Sequence, residues 1–132
     1  MSCSKIFDNR VKLLDAVTVT DGVTQTSVWY PVDGWVGKRL WVDMDSAGAA
    51  DIKIDIRLSP FHYQVLRDLA SVTTEYYKEY AVSASFSTLT LSEFDDADVA
   101  DLKRPAASFQ LVAIGNTGTA STTFTGILEG LS

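Results

Sequence analysis

Few residues of this chain could move a proton, attack a carbon or hold a metal. There is one histidine, His62, and one cysteine, Cys3. A nucleophilic triad would have to use His62, yet no Gly-x-Ser-x-Gly elbow occurs, and Ser59, its nearest upstream serine, offers no geometry for proton transfer. His62 is expected to be a partly exposed loop residue. Cys3 could meet it only if the N-terminus folded back over that loop, and a reactive thiolate also needs an ordered electropositive pocket. A structural or catalytic zinc site takes more Cys and His ligands than these two. No catalytic residue, cofactor or metal ligand is nominated, and the chain is expected not to be an enzyme.

Carboxylates are more plentiful. Asp95, Asp96, Asp98 and Asp101 crowd the acidic loop 93–101, and such oxygens could hold calcium. The Asp-x-Asp-x-Asp-Gly spacing and its distal glutamate are missing, so an EF-hand is ruled out, and a solvated acidic loop is the plainer reading. Asp43, Asp45, Asp51 and Asp55 flank strand-like segments beside Arg39, Lys53 and Arg57, where cross-strand pairing on a wet face explains them. No two acids stand out as a glycosidase pair, and no Gly-rich phosphate loop is present.

Aromatic residues are the remaining candidates. Trp29, Trp35 and Trp41 lie close in sequence around Gly34, and Trp29 and Trp41 fall on the polar parity of their strands. Three readings stand: core residues of strands buried on both faces, an exposed apolar patch marking an interface, or a platform for sugar rings. Tyr76, Tyr77 and Tyr80 form a second cluster with the same ambiguity.

The elements that position these residues follow from hydrophobic patterning. Over 50–59, Ile52, Ile54, Ile56 and Leu58 alternate with Lys53, Asp55 and Arg57, a period of two that puts one face in the core and the other in water. Over 38–45, Leu40, Val42 and Met44 alternate with Arg39, Trp41, Asp43 and Asp45, and a small-residue turn at 46–50 suggests that the two segments form a hairpin. A second hairpin is expected between 107–114 and 122–129 across a Gly-containing loop. Residues 11–20 end at Asp21-Gly22, a turn signal. Pro31 makes 24–33 an edge or bulged strand, with Val28, Tyr30 and Val32 on one face. Segments 73–82 and 84–92 read as strands, 61–70 as a short helical turn, and 93–102 as an acidic loop carrying one turn of helix before Pro105. The sum is an all-β domain of about seven to eight strands, an antiparallel β-sandwich or jelly roll, over residues 11–132, preceded by an N-terminal arm, 1–10.

Composition narrows the partners. An apolar fraction of 46% in 132 residues supports one packed domain, and a net charge of −6 is the wrong sign for tracking nucleic acid or an anionic membrane. No apolar run approaches a bilayer span and none has the form of a secretion signal, so release by host lysis after cytoplasmic assembly is the expectation for any extracellular particle. Ile6 and Phe7, apolar residues in an otherwise polar arm, are candidate anchors to a neighbour.

Three segments, LLDAVTVTDGVTQTSVWYPVDGW (13–35), DIKIDIRLSP (51–60) and FQLVAIGNTGTASTTFTGILEG (109–130), resemble the small β-sandwich virion proteins of tailed bacteriophages, the capsid decoration, cement and head-associated proteins. The last is the most typical: a strand, an Asn-Thr-Gly tip and a Thr-rich return ending in Leu-Glu-Gly. Where many members carry a Gly/Asp-rich turn and a tryptophan, this chain has Arg57-Leu58-Ser59-Pro60-Phe61-His62. The resemblance implies a non-enzymatic virion protein that self-associates, with a trimer favoured, and docks on the major capsid protein. Ile6, Phe7, Trp29, Trp35 and Trp41 are the contact residues expected. The alternatives are a glycan-binding tail or fibre module and a tail-completion or connector protein.

Overall fold

A computed structural model describes residues 10–131. Two antiparallel sheets face each other. The first runs β1 (Arg10–Val19), β9 (Thr122–Leu131), β4 (Gly37–Ser46) and β7 (Ser92–Phe94); the second runs β2 (Thr24–Thr26), β8 (Ser108–Gly115), β5 (Ile52–Ser59) and β6 (Lys78–Phe86), with β3 (Tyr30–Pro31) also on β8. A six-residue helix, α1 (Tyr63–Asp68), and a 3-10 turn (Ala100–Lys103) complete the elements. Taken together as one interrupted strand, β2 and β3 bring each sheet to four strands in the order of a jelly roll. The all-β sandwich read from the sequence is the observed fold.

The inward parity holds where the pattern was strongest. Ile52, Ile54 and Ile56 are fully buried, as are Leu40 and Val42 opposite them, and each such side chain contributes about 1.5–3 kcal/mol of burial. They meet Leu111, Phe109, Phe124 and Leu128 in one core between the sheets.

Both expected hairpins are corrected. β4 pairs with β7 and β9, whereas β5 pairs with β6 and β8, so residues 47–51 turn a corner between sheets. Residues 116–121 likewise carry the chain from β8 in one sheet to β9 in the other. The apolar faces of the supposed partners confront each other across the core. Three further boundaries differ. Residues 73–77 precede the strand that was expected to include them, β6 runs continuously through residue 83 and so joins parts of the two expected strands 73–82 and 84–92, and β7 takes only three residues, starting at the end of the second. Segment 24–33 breaks between Thr26 and Tyr30, which sends Val28 into solvent at 74% exposure while Val32 is buried.

Every sheet edge is interrupted. β1 carries register shifts around Leu14 and Val17, with Ala16 at φ 50 and its N–H donating to Thr125 Oγ1 at 3.0 Å. β3 ends on Pro31, which has no N–H for a neighbour. β7 is three residues long, and β6 shifts register twice against β5. Such breaks blunt strand-to-strand addition.

Candidate functional site: two aromatic faces and a cleft between the long loops

On the outer face of the first sheet, Arg39, Trp41 and Asp43 of β4 stand beside Glu129 and Ile127 of β9. Glu129 is the hub. Its carboxylate accepts from Trp41 Nε1 at 3.0 Å, Arg10 Nε at 3.1 Å and Arg39 Nη1 at 3.3 Å, with its side chain only 5% exposed. Burial pushes its pKa up, but the Trp41 and Arg10 hydrogen bonds and the two guanidinium charges more than offset that and hold it below the ordinary glutamate value. Arg39 Nε also lies 3.5 Å from Glu93 of β7. The indole of Trp41 is thereby tethered to the sheet face, and with Ile127, Leu91 and Arg10 it lines an apolar groove of about 160 Å³. Leu91 is 57% exposed.

The outer face of the second sheet is partly covered. Ser27 lies along β8: its N–H donates to the Leu111 carbonyl at 2.9 Å, its Oγ accepts from the Leu111 N–H at 2.9 Å, and its carbonyl accepts from Gln110 Nε2 at 2.8 Å. Trp29 then leans on Tyr77, with ring centroids 5.6 Å apart, and the Arg57 guanidinium sits 4.7 Å from the Tyr77 centroid. Val28, Trp29, Tyr63 and Arg67 line a second apolar hollow of about 390 Å³ against α1. Asp55, expected on a wet face, is buried here, and one of its oxygens has no hydrogen-bond partner. Burial pushes its carboxyl above the ordinary value, the neighbouring Glu79 adds to this, and Lys53 at 3.4 Å opposes it. Burial pushes the Glu79 carboxyl up, but the hydrogen bonds to Arg57 and Asp55 and the charges of Arg57 and Lys53 together outweigh it and leave it below the ordinary value.

The three tryptophans are therefore not one patch. Trp29 and Trp41 lie on opposite outer faces, and Trp35 packs against the core and Tyr30, covering Gly130 so closely that a Cβ there would sit 2.9–3.0 Å from its ring. Ile6, Phe7 and Cys3 lie outside the described residues. His62 caps α1: its Nδ1 accepts from the N–H of Gln64 at 3.3 Å and its ring rests on Tyr63. In the acidic loop, Asp95 Oδ1 accepts from the N–H groups of Ala97 and Asp98, and Asp98 Oδ2 accepts from the N–H of Asp95. The Asp98 N–H holds the Asp95 carboxyl below its ordinary range. Among the described residues no three His, Cys, Asp or Glu side chains are grouped to hold a metal ion.

One feature escaped the sequence reading. The jelly roll's long connections, 60–77 and 95–107, meet at one end of the sandwich and enclose a cleft of about 450 Å³. The tyrosine cluster is there. Ser59 Oγ donates to the Tyr76 carbonyl at 2.7 Å, Ser108 Oγ donates to the Phe61 carbonyl at 2.7 Å, and both serines are fully buried. Lys38, on the inward parity of β4 and 1% exposed, donates from Nζ to the carbonyls of Arg104 at 2.8 Å and Leu102 at 3.2 Å. Burial pushes its pKa below the ordinary lysine value. Three buried polar side chains thus hold the two loops in place. Lys38, breaking an apolar run of alternate residues, was the signal available in the sequence.

Strand order and layering define the class, a two-sheet antiparallel β-sandwich with the strand order of a jelly roll. No protein-family model and no curated protein matches the chain. Similar solved structures include that of the infectious bursal disease virus Gx strain, at TM-score 0.54 and 17% identity over 90% of this chain and 30% of that one. T=1 particles derived from the same virus give TM-score 0.52 at 16% identity over 90% and 30%, and the crystal structure of its VP2 subviral particle gives 0.50 at 16% over 90% and 31%. The chain spans about 30% of the length of these neighbours, and what it shares with them is the fold. No helix among the described residues is long and apolar enough to cross a membrane.

Proposed function

We propose that this chain is a non-enzymatic structural protein of a virion, a decoration or cement protein of a phage head that bridges subunits of the major capsid protein as a homo-oligomer, a trimer by preference. The observation that carries this is the groove of Trp41, Ile127 and Leu91. A half-buried indole, held by Glu129, is presented with two aliphatic neighbours on a sheet face whose adjoining residues on β4 and β9 are charged or polar. Exposed apolar surface of this kind, rimmed by charge, is the usual form of a protein–protein contact, and preorganised tryptophan dominates such contacts. Trp29 with Val28 and Tyr63 offers a second contact on the opposite face, and two faces are what bridging requires. Ile6 and Phe7 of the arm are proposed as further anchors. The jelly roll shared with solved virus shells supports the reading at the level of architecture.

The test is occupancy of the particle. Purified virions should hold this chain in a copy number comparable with that of the shell subunit, and Trp41→Ala or Leu91→Ser should reduce its retention on shells while leaving its far-ultraviolet spectrum unchanged. A handful of copies per particle, or retention unaffected by both substitutions and by Trp29→Ala, refutes the proposal.

A further inference from the structure

We infer that the cleft between the two long loops is a binding site for a short oligosaccharide. This goes beyond the shell-protein reading and uses a different surface. Four observations converge. Connections 20–23, 32–36, 47–51, 87–91 and 116–121 are short, whereas 60–77 and 95–107 are long, and they converge on one cleft. Long loops on a rigid β scaffold are where binding surfaces are built. Secondly, the cleft's volume of about 450 Å³ lies within the roughly 300–1,000 Å³ typical of small-molecule sites.

Thirdly, the walls are preorganised at a cost in buried polarity. Ser59, Ser108 and Lys38 are each at most 1% exposed and each is committed to a carbonyl of these loops. Arg104, at the mouth, is set by Asp101 at 2.6 Å and lies 4.9 Å from the Tyr80 centroid. Held loops of this kind lower the entropy lost when a ligand docks.

Fourthly, the lining has the mixed chemistry of a sugar site. Tyr76, Tyr77 and Tyr80 bring rings, and Pro60 and Pro105 add apolar wall. Among the described residues, the side chains of Glu75 and Lys78 make no ion pair or hydrogen bond, and the hydroxyls of Tyr76, Tyr77 and Tyr80 make no hydrogen bond. A sugar presents C–H faces to aromatic rings and vicinal hydroxyls to groups that donate and accept, which is the pairing that an amine, a carboxylate and phenols supply. One free acid and one free base suit an uncharged ligand, and the mainly apolar wall of Leu58, Pro60, Pro105 and the tyrosine rings meets the C–H faces of a sugar while those two groups and the phenols meet its hydroxyls.

The experiment is an amide-resolved NMR titration of the whole chain with chitotriose, maltotriose and, as a different class of ligand, a proline-rich peptide. At least one trisaccharide should shift amides of 58–60, 74–80 and 104–105, with affinity near the millimolar level, about −4 kcal/mol. Lys78→Ala, an exposed position, and Tyr80→Phe, which keeps the ring but removes the hydroxyl, should each weaken binding about fivefold or more. Trp41→Ala, on the other sheet, should leave it unchanged. The inference is overturned by absence of shifts with either sugar, by shifts centred on Trp29 and Tyr63, by affinity that survives both cleft substitutions, or by the peptide alone moving the cleft amides.

Discussion

Replacing Glu129 by glutamine tests whether the first sheet's outer face is built around a single carboxylate. Glutamine keeps the shape and one acceptor oxygen but removes the charge that three donors share. The Trp41 hydrogen bond reaches a side chain only 5% exposed, so it counts as a charge-assisted bond to a buried group, about 1.5–3 kcal/mol. Arg10 and Arg39 are 42% and 31% exposed, and solvent screening limits each pair to about 0.2–1 kcal/mol. With one neutral bond retained by the amide, the net loss is about 2–3 kcal/mol, or roughly 10 °C in melting temperature for a domain of this size. The pH dependence gives an independent check. Glu129 is held below its ordinary value of 4.5, so the unfolded chain binds its proton more readily than the folded one. Its contribution is fully present above that value and is lost as pH falls through the lower, folded pKa. Thermal unfolding of both proteins followed by circular dichroism should show curves well separated at neutral pH that converge on acidification. A loss below about 0.5 kcal/mol at neutral pH, or a gap that does not close in acid, refutes the reasoning.

Three further substitutions probe other features. Asp55→Asn should stabilise the protein by about 1 kcal/mol at neutral pH: the native carboxyl is held above 3.8, so stability falls as pH rises from that value through the folded pKa, and the asparagine protein should lack that slope in acid-range urea melts. Ala16→Gly should raise stability by about 0.5–1 kcal/mol, because alanine occupies the left-handed region at φ 50; an unchanged urea midpoint would count against strain there. Gly115→Ala should cost about 2–4 kcal/mol, since its Cβ would fall 1.8 Å from the carbonyl oxygen of Thr20, a backbone atom that cannot swing aside; a near-native melting temperature would contradict the close approach.

What could be read in advance was which way the most strongly patterned strands face. Ile52, Ile54 and Ile56 are buried as their alternation required, and Leu40, Val42 and Met44 with them, because a period of two reports a face directly. Which strand lies beside which is another matter. The small residues at 46–50 suit a hairpin and a corner between sheets alike, and only long-range pairing, β4 with β9 and β5 with β8, decides. The sandwich itself was legible from strand number and turn spacing. The tryptophans were legible only as residue types: parity put Trp29 and Trp41 outward but could not say that they face opposite ways. Asp55 and Ser59 sit at outward positions, yet Ser59 is covered by the connection 60–77, a folding-over that no local pattern encodes. The cleft was hidden because its walls come from residues 58–60, 74–80 and 104–105, which meet only once the topology is complete.

The broken rims of both sheets bear on how copies of this molecule can gather. With a shifted β1, a proline-ended β3, a truncated β7 and an irregular β6, the edges formed by the described residues offer no long regular backbone ladder to a second molecule. The surface this fold leaves for contact with another molecule is therefore the side chains of its broad faces, and contacts of that kind do not propagate as a strand-to-strand ladder does.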